Sequence, residues 1–137
     1  MIRSVLRNEK IDILWMMTDP RFYEWLWKIE NEIRPLCPIV YYHVWDNYPA
    51  PFFNKKFYES NDHIVSISKL THEIVQEVAP NVNSTYIPHA VDGNIFVPLD
   101  KTEVKNLNLV EEDRDKFIVF WNNRNARRKQ SGTLIHW

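Results

Sequence analysis

Four side chains carry the chemistry legible in this sequence: His43, Asp46, Arg124 and Lys129. Arg124 follows an apolar run, and Lys129 stands five residues later at a predicted helix start. A strand-to-helix turn presents unpaired backbone N–H groups and the positive end of a helix dipole, so anions bind there. A planar arginine fork beside a lysine point charge suits the two phosphates of a nucleoside diphosphate. The competing reading is a solvated basic helix face. His43 lies near the carboxy end of a predicted strand, where open α/β sheets place their ligands. Its competing reading is packing, because alternation puts it on one face with Tyr41 and Trp45. Asp46, three residues on, either orients His43 or starts a turn.

Other candidates are weaker. His89 and Asp92 offer two metal ligands with no third at suitable spacing, so no metal site is expected and His89 reads as structural. His63, His72 and His136 read as surface or helix-face residues. A single cysteine, Cys37, allows no internal disulfide and sits between Pro35 and Pro38 without a catalytic signature. It reads as a bystander thiol of a reducing compartment. Ser66, Ser68 and Ser131 have no base near them in sequence to make a nucleophile. Thirteen of the 19 aromatic residues lie between Trp15 and Tyr58, a density that suits a core better than a sugar-stacking platform.

The bulk numbers bound what these residues can belong to. With 137 residues there is room for one domain and little more. Two glycines, Gly93 and Gly132, against eight prolines leave no dinucleotide fingerprint and no Walker A loop. No cofactor is expected. The net charge of −1 divides into −6 over residues 1–115 and +5 over residues 116–137. That is a local anion signal on an acidic chain, not a nucleic-acid composition. No apolar run approaches the ~20 residues of a membrane span. The charged amino end does not form a signal peptide. A cytoplasmic protein is expected, with peripheral membrane contact left open.

Apolar runs alternating with helical periodicity predict an α/β sheet. Residues 11–17 and 39–45 read as strands. Between them, Asp19-Pro20 starts a helix whose Phe22, Leu26, Ile29 and Ile33 form one apolar face, with Pro35 stopping it. A short helix is expected around 53–59 and a strand over 63–67. Ser68 then caps a helix through Leu70, Ile74 and Val78 that Pro80 ends. Residues 83–87 read as a fourth strand. Residues 98–115 form a polar connector with a short helix near 102–107. Lys116 to Trp121 (KFIVFW) reads as a new strand, followed by a basic helix.

The most specific string is IPHAVDGNIFVP, residues 87–98. It resembles the P-N/H-G-V-D-x-x-x-F-x-P segment of GT-B glycosyltransferases, above all the family-4 group that uses nucleotide sugars. Three further stretches fall in matching order. HIVSIS with LTHEIV is similar to that family's strand ending in serine and its following helix. IVYYHVWD resembles its strand ending in a cleft histidine, and WNNRNARRKQ its G-R-x-x-x-x-K-G turn. The resemblance covers roughly residues 11–137. Ala90, Asn123 and Gln130 stand where the family has glycine, which puts local geometry in doubt wherever φ is positive.

This resemblance implies a Rossmann-like parallel sheet, the latter part of a GT-B N-terminal domain, over residues 1–97. It further implies an interdomain linker over 98–115 and the first strand and helix of a donor-binding domain over 116–137. The glycine-rich acceptor loop and the E-x7-E donor motif fall outside the chain, which reads as the middle of a larger enzyme. The implied activity is retaining, metal-independent transfer of a sugar from a nucleotide-diphosphate donor to a carbohydrate, lipid or other acceptor. Arg124 and Lys129 would hold the donor diphosphate, and His43 would donate a hydrogen bond to a sugar hydroxyl as the catalytic contact, with Asp46 supporting it. The alternative is a non-catalytic binding or interaction module derived from such a fold.

Overall fold

The computed structural model of the chain describes residues 2–45 and 47–136. They fall into two units, Met1–Val91 and Asp92–Trp137. The first holds a sheet of four parallel strands: β1 (Leu14–Thr18), β2 (Ile39–His43), β3 (His63–Ser66) and β4 (Ser84–Tyr86), side by side in chain order. Right-handed crossovers that always step in one direction lay every connecting helix on the same face. The packing agrees. Met16, Ile39 and Tyr41 bury against Leu26, Trp27 and Ile33, while Ile64 buries against Tyr58, Ile74, Val75 and Val78. The opposite face carries Trp15 and Met17, each about half exposed. There Trp15 stacks on Tyr42, and Tyr42 stacks on His89.

Local signals explain most of the elements. Asp19 accepts from the Arg21 N–H and Pro20 takes the first helical position, but the turn is a short 3₁₀ piece, Pro20–Phe22. The single helix expected from Phe22 to Ile33 is instead split into α2 (Glu24–Trp27) and α3 (Glu30–Ile33). Leu26 and Ile33 are buried as the spacing requires, whereas Phe22 lies on the exposed side. A second 3₁₀ piece (Phe52–Asn54) leads into α4 (Lys55–Glu59). Ser68 caps α5 (Lys69–Val78) through the Thr71 N–H, and Ile74, Val75 and Val78 bury its apolar face. Cys37 is a free thiol inside the first core cluster. A short helix, α1 (Ile2–Asn8), joins α3 through the Arg3–Glu32 ion pair.

The second unit contains α6 (Lys101–Asn108), capped by Asp100, and α7 (Ser131–His136). None of its described residues is buried. Residues 116–121, read from the sequence as a strand, belong to no strand here. A strand exists only through a hydrogen-bonded neighbour, and no described segment of this unit supplies one. Strand β2 likewise ends at His43, two residues short of Trp45. Among the described residues no helix is long and apolar enough to cross a membrane.

The core of the first unit gives a direct test. Ile74→Ala should cost about 2–5 kcal/mol of stability. Leu70→Ala on the same helix, where the side chain is 37% exposed, should cost less than about 1 kcal/mol. Urea unfolding followed by tryptophan fluorescence separates the two.

Candidate functional site

The carboxy ends of β1 and β2 are organised by one chain of buried hydrogen bonds. Tyr41 Oη donates to the Thr18 carbonyl at 2.5 Å, so its only proton is committed. His43 Nδ1, 3.0 Å away, must therefore donate to the Tyr41 oxygen. The other ring nitrogen, Nε2, then accepts from Tyr58 Oη at 2.7 Å. His43 is fully buried, and burial pulls its pKa down to about 3 against a weaker upward pull from Asp19. It is a neutral imidazole. Burial pushes Tyr41 far above the usual phenol range and Tyr58 up to about 12. The Asn54 amide leans toward the Tyr58 hydroxyl, yet its Nδ2 completes no hydrogen bond. Ser66, paired in register with His43 on β3, is also fully buried with an unbonded Oγ.

Thr18 adopts φ 124°, a costly conformation for a β-branched residue. This turns its carbonyl toward Tyr41 and leads the chain into Asp19. Arg21 forks back onto Asp19, its Nε reaching Oδ1 at 2.9 Å and an amino group reaching Oδ2 at 2.8 Å. That fork, against partial burial, holds the Asp19 carboxyl below its usual range. Beyond β2, the Trp45 carbonyl accepts from Thr71 Oγ1, and the indole meets the Phe53 ring edge-on with centroids 6.2 Å apart.

Asp19, Arg21, Val44, Trp45, Asn47, Phe53 and Asn54 together enclose a cleft of about 340 Å³ above the His43 network. The cleft lies at the carboxy ends of the parallel strands and is large enough for a small molecule. An ion pair, an amide and two aromatic rings are groups that match the hydroxyls and the C–H faces of a sugar.

The residues singled out from the sequence are distributed as follows. His43 sits under the cleft with both nitrogens occupied and offers no atom to a ligand. The direct contact with a sugar hydroxyl expected of it is not what the geometry provides. Asp46 lies outside the described residues. Arg124 and Lys129 belong to the second unit. There Arg127–Lys129 forms a 3₁₀ turn closed by Gln130 at φ 56°, ahead of α7. The side chains of Arg124 and Lys129 form no ion pair or hydrogen bond among the described residues. His89 is held by Tyr42 at 3.1 Å. Asp19, Arg21, Phe53 and Asn54 were missed as site residues. Their signal was position: Asp19 and Arg21 directly follow β1, and Phe53 and Asn54 lie in the stretch that joins β2 to α4.

The neutral, buried His43 fixes a pH dependence. Its folded pKa is depressed, so its contribution is complete above the unfolded value near 6.5 and is lost as pH falls toward 3. Between pH 6.5 and 4.5, stability should fall by up to about 1.4 kcal/mol per pH unit. His43→Gln, which retains a donor and an acceptor, should flatten that slope in denaturant titrations; an unchanged slope would assign it elsewhere.

No protein-family model, no curated protein and no solved structure matches this chain.

Proposed function

We propose that this chain is part of a retaining glycosyltransferase of the GT-B type and that its first unit is the acceptor-side, Rossmann-like domain. The observation that carries the reading is the cleft over the carboxy ends of β1 and β2, lined by Asp19, Arg21, Trp45, Phe53 and Asn54. The motif order of IVYYHVWD, HIVSIS, IPHAVDGNIFVP and WNNRNARRKQ supports it. At Gln130, which stands where the resembled family carries glycine, the backbone is left-handed, so the match is weakest at that turn. In this reading Arg124 and Lys129 hold the diphosphate of a nucleotide sugar and stabilise its charge as the glycosidic bond breaks. His43 is a positioning residue. It fixes the Tyr41 and Tyr58 hydroxyls without touching the sugar. The second reading, a non-catalytic binding module of the same fold, is favoured by the exposed apolar side chains of residues 117–121.

Binding separates the two. Titrating the purified chain with uridine, guanosine and adenosine diphosphate sugars should give saturable binding without turnover. Arg124→Ala should weaken it by about 10- to 150-fold, the worth of a charge-assisted hydrogen bond. Absence of saturable binding to all three would sink the transferase reading and leave the module. Trp45→Ala should abolish quenching of tryptophan fluorescence by free monosaccharides while leaving nucleotide binding intact; persistent quenching would remove the cleft from the acceptor role.

A further inference from the structure

Ser131 opens α7 directly after the most basic stretch of the chain. Arg127, Arg128 and Lys129 stand four, three and two residues before it, and Gly132 follows. No other serine or threonine in the sequence has an arginine three residues before it. A protein kinase whose substrate groove is lined by carboxylates reads such a guanidinium through charge-assisted hydrogen bonds, as a charge pattern along the chain. Arg127 and Arg128 are exposed, and their side chains form no ion pair or hydrogen bond among the described residues. Hydrogen bonding also separates Ser131 from the neighbouring hydroxyl. Thr133 Oγ1 donates its proton to Gln130 Oε1 at 2.8 Å. Ser131 Oγ only accepts, from the Trp121 indole at 3.4 Å, and its own proton has no acceptor among the described residues. No described residue of this unit is buried, so the segment around Ser131 opens at little cost to enter a kinase groove.

We propose that Ser131 is a phosphorylation site for an arginine-directed protein kinase and that the added group switches off anion binding by the basic stretch. In the transfer, Ser131 Oγ forms a bond to the γ-phosphorus of a nucleoside triphosphate. The bond from that phosphorus to the bridging oxygen breaks, the nucleoside diphosphate leaves, and the hydroxyl proton passes to the kinase's catalytic carboxylate. Phosphoserine carries about −1.5 to −2 charges at pH 7. It is set against the +5 of residues 116–137. Being tethered, it competes for the same cations at an effective concentration that a free diphosphate must exceed. The switching half rests on the reading that Arg124 and Lys129 hold a donor diphosphate; the modification itself does not.

Treating the full 137-residue chain with a purified arginine-directed serine kinase and magnesium ATP tests both halves. Mass spectrometry should find a single phosphoryl group, on Ser131. Ser131→Ala should abolish incorporation, Thr133→Ala should leave it unchanged, and Arg128→Ala should slow it by about tenfold or more. The phosphorylated chain should bind the uridine, guanosine and adenosine diphosphate sugars about tenfold more weakly than the unmodified chain. Incorporation that is absent, falls on another residue or is indifferent to Arg128→Ala overturns the site. Equal binding before and after phosphorylation overturns the switch alone. Binding by neither form sinks the donor-site reading and the switch with it, while the modified serine stands.

Discussion

The first unit depends on how a histidine is accommodated inside an apolar layer. A buried imidazole without partners costs several kcal/mol, and a charged one costs more. Here each bonded group has one direction: His43 donates to Tyr41, Tyr41 donates to the Thr18 carbonyl, and Tyr58 donates to His43. Reversing any link would leave two lone pairs facing each other or two protons in one gap. The network therefore fixes the tautomer, the charge and the rotamers together. It also ties β1, β2 and α4 at one end of the sheet. Thr18 carries the strain of this arrangement, and the cleft rests on it.

Strand order decides which end and which face are available. Parallel strands in the sequence 1-2-3-4 have no reversal among them, so right-handed crossovers load one face with α2 to α5. All four strands point their carboxy ends the same way, which gathers Asp19, Trp45 and Asn54 although they are far apart in sequence. The same order leaves Trp15 and Met17 on the face without these helices. Their exposure follows from topology rather than from poor packing.

The sheet was legible because IDILWMM, IVYYHVW and HIVSI are short apolar runs rich in β-branched and aromatic residues and bounded by turn signals. Caps were legible where the side chain bonds the adjacent backbone, as at Asp19 and Ser68. The break between α2 and α3 was not, because periodicity records which face is apolar and not whether the hydrogen-bond ladder continues. KFIVFW shows the opposite failure. Its composition states a preference for a strand, while strand formation depends on a neighbour that composition does not encode. The site divided the same way. His43 was found because its type and strand-end position are local facts. Its encasement by Tyr41 and Tyr58 is a tertiary fact, since Tyr58 arrives from a helix fifteen residues away. Asn54 and Phe53 acquire meaning only beside Trp45.

Glycine scarcity takes on a different meaning once backbone angles are known. Neither Gly93 nor Gly132 has positive φ, and a Cβ at either would meet open space. The described left-handed or strained non-glycine positions are Thr18 and Gln130. The chain thus places glycine where the backbone has no use for its freedom and bulkier residues where that freedom would relieve strain. At Gln130 the side chain is used: Oε1 accepts from Thr133 Oγ1 at 2.8 Å, knitting the turn to α7. At Thr18 it is the carbonyl that is used, as the last acceptor of the Tyr41–His43–Tyr58 chain. A glycine there would adopt the angle at less cost but would widen the range of conformations open to the turn. Holding Asp19 over the buried network requires the narrower range, so the strain and the positioning of the cleft have the same cause.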